Sequence, residues 1–194
     1  ILYTSDAEGQ FSYVKQASDR GYDVLTLEGP LASHWIQKLE QGNEKVRFSR
    51  VDSDSLDKLI DKGEEIPSKL SAAEEEKLKP LFEGAVNKEK FTVQLESMPE
   101  QDAPILITQP EFIRRMMEQQ RMGGGGFYGA FPEMYQLVVN GNHPVMSKVL
   151  KMKSARQQET VKQLVDLAML SQGLLKGEAL TEFIQRSVSG MVES

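Results

Sequence analysis

Residues 161–172, VKQLVDLAMLSQ, and 180–192, LTEFIQRSVSGMV, decide how this chain is read. In the first, Val161, Leu164, Val165 and Ala168, then Ser171 or Gln172, recur at the i, i+3, i+4 spacing of one helix face. Leu167 and Leu170 widen that stripe. In the second, Leu180, Phe183, Ile184, Val188, Met191 and Val192 repeat the pattern. Such a face has to be covered, and the sequence stops inside the second stripe. Two solutions fit the pattern: the tail folds back on its own domain, or it pairs with a second copy of the chain.

Working outward, 194 residues suffice for two small domains, each with a modest core. An apolar content of 39% with 27% charged residues describes a globular chain. A formal net charge of −6 argues against a nucleic-acid surface, which normally carries a basic patch. Cysteine is absent, which excludes disulfides, thiolate catalysis and thiolate metal sites and suits a reducing cytoplasm. No apolar run approaches the roughly 18 residues of a membrane span, so no membrane partner is expected. The chain opens Ile1-Leu2-Tyr3-Thr4, without a methionine and in what reads as a strand, so a fragment of a longer protein is expected.

Between residues 1 and 62 short strands alternate with helices. Ile1–Thr4, Val24–Leu27 and the period-two segment Val46–Val51 are predicted strands; about Ala7 to Arg20 and the Leu31, Trp35, Ile36, Leu39 segment are predicted helices. Gly21 falls where a left-handed C-cap is wanted. This predicts a small parallel α/β unit. Residues 63–69, GEEIPSK, have linker composition. A second domain over 70–194 is predicted as α+β: three strands (Phe91–Leu95, Pro104–Thr108, Tyr135–Val139) and a helical tail. Its first helix opens on a Ser71…Glu74 capping box and carries Pro80 as a kink. Asn142 is the expected cap of a helix with Pro144 near its first position.

Catalytic groups are sparse. His34 and His143 are far apart in sequence, and a structural or capping role suits His143. No glycine-rich phosphate loop follows a strand, and Gly123–Gly126 follow a helix rather than opening one. A small α/β enzyme would need a ligand-sized pocket at the C-terminal ends of the first strands. The helix from about Pro110 to Met122 is more informative. Phe112, Met116 and Gln119 or Gln120 share one face, flanked by Ile113, Met117 and Arg121. These residues are either ordinary core or an adaptable methionine-rich surface. Phe127, Tyr128 and Phe131 follow in a glycine-rich loop. Trp35 is open to the same two readings.

Three segments, in order, resemble the ninety-kilodalton heat-shock chaperone family and its bacterial branch in particular. Arg20-Gly21-Tyr22-Asp23-Val24-Leu25-Thr26-Leu27 is similar to that family's Lys-Gly-x-Glu-Val-Leu-x-Leu strand. Asn140-Gly141-Asn142-His143-Pro144-Val145 resembles its Asn-Pro-x-His-Pro-Leu turn. Asp166-x-Ala168-x-Leu170-x-x-Gly173 with Phe183-Ile184 resembles its tail. The resemblance implies the end of a middle domain over 1–62 and a C-terminal dimerisation domain over 70–194, forming a homodimer through a four-helix bundle. Its implied interface is Val161, Leu164, Val165, Ala168, Leu180, Phe183, Ile184, Val188 and Met191. It implies unfolded or partly folded client proteins as partners, contacted through Trp35, Phe112, Met116, Met117 and Met122. It also implies that ATP and magnesium belong to an N-terminal domain outside this fragment, which then has no cofactor and no enzyme activity of its own. The runner-up is a monomeric adaptor or structural domain pair whose tail helices pack internally. Gln119 and Gln120, Ala32-Ser33-His34, and Ser187, Ser189 and Gly190 depart from the family pattern.

Overall fold

The computed structural model describes residues 1–29, 31–60, 66–122 and 133–192. Expectations for Gly63–Glu65, the glycine run, Phe127, Tyr128 and Phe131 lie outside the described residues, as do those for the side chains of Gln119, Gln120, Arg121, Met122 and Val192. Packing divides the chain into two compact units, residues 1–64 with 108–135 and residues 65–107 with 136–194. Segment 108–135 therefore groups with the first unit, and the domain expected over 70–194 is interrupted.

In the first unit β1 (Leu2–Thr4) leads through α1 (Phe11–Asp19) to β2 (Leu25–Thr26), and through α2 (Ala32–Gly42) to β3 (Ser49–Arg50) and α3 (Leu56–Leu59). The sheet order is β2-β1-β3, parallel throughout, with Tyr3 opposite Leu25 on one side and Arg50 on the other. β1 is buried along its whole length, as a central strand covered on both faces must be. Tyr3, Ile36 and Phe48 form a core with Leu27 and Val46, and the Tyr3 and Phe48 rings meet edge to face at 6.3 Å.

Two boundaries differ from the sequence reading, each for a visible reason. The strand expected over Val46–Val51 shrinks to Ser49–Arg50, because the Phe48 amide donates to Glu40 Oε1 at 2.8 Å instead of to a strand. α1 begins at Phe11 rather than near Ala7, because Gly9 donates to Asp6 Oδ1 at 2.9 Å and Gln10 to the Asp6 carbonyl at 2.9 Å, forming a turn. The helix ends as expected. Gly21 (φ 81°) donates to Ser18 O at 2.9 Å while Tyr22 reaches back to Ala17 O at 3.0 Å, which satisfies the last carbonyls.

The second unit contains α4 (Ala72–Glu83), β4 (Phe91–Glu96) and β5 (Ile105–Thr108). After α5 (Glu111–Met122), which belongs with the first unit, come β6 (Tyr135–Asn140), α6 (Pro144–Leu150), α7 (Ser154–Ser171) and α8 (Gly177–Val192). β6 lies between β4 and β5, and its residues Leu137 to Asn140 are completely buried. α4 packs against β4, α6 and α7, with Leu78 and Phe82 fully buried and Pro80 inside the helix. At its start the Glu74 carboxylate accepts from the Ser71 amide (2.9 Å) and hydroxyl (2.7 Å), which holds Glu74 below the usual carboxylate range.

The Asn140–His143 segment is structural. Asn140 Oδ1 accepts from the amides of Met98 (3.2 Å) and Asn142 (3.1 Å), and its Nδ2 donates to Pro99 O at 2.9 Å. Asn142, the expected cap, instead bonds the Lys69 amide (2.7 Å) and Pro67 O (3.0 Å). The cap is His143, whose Nδ1 accepts from the Val145 amide at 3.2 Å, with Pro144 following it. His143→Ala is expected to cost about 1 kcal/mol in urea unfolding at pH 8. Burial holds the His143 pKa below its usual 6.5. The unfolded chain therefore takes up a proton more readily than the folded one, and stability falls as pH drops below 6.5. The alanine variant should lose that part of the pH dependence.

Candidate functional site

The C-terminal ends of β1 and β3 carry a compact polar cluster. Thr4 Oγ1 donates to Gln10 Oε1 (2.6 Å), Gln10 Nε2 to Asp52 Oδ2 (2.7 Å), and Arg50 Nε to Asp52 Oδ1 (2.6 Å). These groups are satisfied by one another, an arrangement that fixes the strand ends rather than awaiting a substrate. Among the described residues no set of three or more His, Asp or Glu side chains is placed to hold a metal. No described helix is long and apolar enough to cross a membrane.

The second feature is apolar. On α2, Ile36 is buried and the Glu40 side chain points inward one turn later. The neighbouring Leu31, Trp35 and Leu39, at i, i+4, i+8, lie outward at 62, 64 and 49% exposure. Sequence periodicity saw one mixed stripe here and could not sort it into inner and outer faces. Leu31 and Leu39 join Trp35 as the members it missed.

α5 is oriented against the ordinary rule. Its Arg114 is 5% exposed and its Phe112 is 71% exposed. The helix is seated by charge. Arg115 Nη1 and Nη2 donate to the two Glu40 oxygens at 2.7 and 3.2 Å, Nη2 also to Phe48 O at 3.0 Å, and Nε to Glu111 Oε1 at 2.7 Å. Arg114 pairs with Glu111 and also donates to the Tyr3 hydroxyl. The Arg115 hydrogen bonds, opposed by burial and reinforced by the Phe48 amide, hold Glu40 below the usual carboxylate range. Burial pushes Glu111 upward, but Arg114 and Arg115 outweigh it and hold that carboxyl low as well. Met116 and Met117 are half-buried, and the Met117 sulfur lies 3.7 Å from Gln109 Nε2. Of the expected client-contact set, Trp35 and Phe112 are thus exposed, Met116 and Met117 partly so, and the Met122 side chain lies outside the described residues.

The third feature is the α7–α8 pair, two helices in contact across a short turn. Gly173 (φ 63°) closes α7 with the same two-bond cap seen at Gly21: its amide donates to Leu170 O (3.0 Å) and that of Leu174 to Met169 O (2.9 Å). Asp166, 1% exposed, receives Arg186 from α8 and Lys162 at 3.3 Å. Gln163 accepts from Arg186 Nε at 3.2 Å and donates to Ser187 Oγ at 3.1 Å. The two stripes divide between inside and outside. Val161, Val165, Ala168 and Phe183 are buried within the single chain, so their apolar surface is already covered. Leu164 and Leu180 are half-buried. Ile184, Val188 and Met191 lie outward at 52, 55 and 78% exposure, with Leu167 and Leu170 outward on α7. The residues that widened the first stripe are its exposed part.

Exposed apolar side chains are thus present in both units, on α2 and α5 in the first and on α7 and α8 in the second. No family model matches the chain. Curated relatives are all chaperones: the chain is similar to chaperone protein HtpG of Porphyromonas gingivalis, 36% identical over 96% of this chain. It is similar also to the HtpG chaperones of Bacteroides fragilis (30%) and Bacteroides thetaiotaomicron (29%), over the same share. The chain is thus homologous to HtpG chaperones over nearly its whole length. It spans 37 to 38% of the length of these relatives and corresponds to their C-terminal portion.

Proposed function

We propose that this chain supplies homodimerisation and part of the client-binding surface of an ATP-dependent HtpG-type clamp working in the cytoplasm. The nucleotide chemistry would belong to a different part of such a protein, so no cofactor is assigned to these residues. The observation that carries the reading is the outward face of α7 and α8. Leu167, Leu170, Ile184, Val188 and Met191 are exposed apolar side chains on a helix pair whose Val161, Val165, Ala168 and Phe183 are already buried. A second copy offering the same face would cover it, with the self-complementarity that two-fold symmetry demands. Joining two clamp arms in this way makes closure at distant sites an intramolecular event at high effective concentration.

The client surface would be Trp35 with its neighbours Leu31 and Leu39, and Phe112 with Met116. Exposed aromatic and methionine side chains adapt to apolar segments of varied shape, which suits clients without a common sequence.

Sedimentation of the chain at tens of micromolar tests the dimer. The chain should run as a dimer, and Ile184→Asp with Val188→Asp, both at exposed positions, should give folded monomers. A parent chain that already sediments as a monomer, or a double variant that stays dimeric, would defeat this interface. Phe112→Ser should weaken binding of a permanently unfolded probe, carboxymethylated α-lactalbumin, without altering the circular dichroism spectrum.

A further inference from the structure

α5 has its charged side inward and its largest apolar side chain outward, and hydrophobic packing alone would seat it the other way round. A helix docked by apolar burial would enclose Phe112 and leave Arg114 in water. Here the reverse holds, with Arg114 at 5% exposure and Phe112 at 71%. The attachment therefore depends on a few directional bonds, one set from Arg114 to the Tyr3 hydroxyl and the larger set from Arg115. Arg115 reaches both oxygens of Glu40 on α2, the carbonyl of Phe48 in the core-forming segment, and Glu111 one turn back on its own helix. A planar guanidinium can serve four acceptors in fixed geometry, which a lysine cannot. Glu40 is 13% exposed and Arg115 33%, so water does not readily replace either partner.

We infer that Arg115 is a positioning residue, whose bridge to Glu40 fixes α5 on the first unit so that Phe112 and Met116 are presented together with the Leu31–Trp35–Leu39 stripe. In sequence Met116 follows Arg115 and Leu39 precedes Glu40, so the bridge joins the two helices that carry these apolar residues. Breaking the bridge leaves Phe112 chemically intact but frees the helix that carries it. Client affinity then depends on a pair of charges that need not touch the client. The inference rests on the client-surface reading above, and its test keeps the two apart.

The test is amide hydrogen exchange on the whole 194-residue chain, without any client, together with binding of carboxymethylated α-lactalbumin. Arg115→Gln and Glu40→Gln should each speed exchange of the α5 amides about tenfold or more, while the β6 amides of the other unit stay unchanged. The double variant should be no worse than Arg115→Gln alone, since the bridge to Glu40 is already lost there, and Arg115→Lys should recover only part of the protection. Probe binding should weaken about three- to tenfold in the glutamine variants. Should Arg115→Gln strip protection from β1 as well, Glu40→Gln and Arg115→Lys carry the comparison. Unchanged α5 exchange in Glu40→Gln would overturn the latch. Faster exchange with undiminished probe binding, where Phe112→Ser does weaken binding, would overturn the positioning role. If Phe112→Ser is also without effect, the client surface itself is wrong, while the latch stands on its exchange data.

Discussion

Arg186→Met is expected to lower the unfolding free energy of the second unit by about 3 kcal/mol, read as a shift of the urea midpoint. The reason is what it leaves behind. Asp166 has a side chain 2% exposed and depends on Arg186, which donates to it from the neighbouring helix. Removing one member of a buried pair strands the other in a medium that solvates it poorly. Lys162 remains at 3.3 Å, but its side chain is 44% exposed, so its charge acts mostly through water. That keeps the cost near the lower end of the usual range. The opposite deletion should be milder, because Arg186 is 22% exposed and its long side chain can swing into solvent when Asp166→Asn removes its partner. Arg186→Met combined with Asp166→Leu should recover most of the loss. A shift below about 1 kcal/mol for Arg186→Met would mean that the pair behaves like a surface ion pair.

Asn140→Ala should cost about 3 kcal/mol by a different route. Asn140 is wholly buried, and its amide group serves three backbone partners: the amides of Met98 and Asn142 and the carbonyl of Pro99. Alanine leaves the two amides unmet in buried surroundings and the part-buried Pro99 carbonyl without its donor. Asn140→Asp restores the acceptor but sets a carboxylate against the Pro99 carbonyl, so it should not rescue. Asn142→Ala should cost less, since its two bonds, to the Lys69 amide and Pro67 carbonyl, are only part-buried. Urea curves for the three variants, ranked Asn140→Ala worst, check the argument; equal midpoints for Asn140→Ala and Asn142→Ala would refute it.

Local chemistry was the most legible part of the sequence. Gly21 and Ser71 each announce a helix end through a requirement met within four residues, and both act as the pattern indicates. The alternation of short strands and helices over the first sixty residues likewise indicates a parallel sheet, because such strands need a crossover between them. What periodicity could not assign was direction. On α2 the candidates Leu31, Trp35, Ile36 and Leu39 are all apolar, and which one faces inward depends on Tyr3 and Phe48, distant in sequence. The α7 stripe hid the same ambiguity: Val161 and Val165 face the protomer's own core, and Leu167 and Leu170 face away. The seat of α5 was invisible for a deeper reason. Glu40 and Arg115 are 75 positions apart, and neither residue alone distinguishes a solvent-exposed charge from a buried bridge.

The route of the backbone also has a temporal consequence. The first unit takes its last helix from a stretch that leaves the end of β5 and returns at the start of β6, so the polypeptide passes between units three times. During synthesis the opening α/β segment emerges early, yet the guanidinium that ties down Glu40 and Phe48 is made some fifty residues after that segment's last helix. The earlier-made segment therefore stays incomplete until residues 108–135, which follow part of the second unit in the chain, have been made.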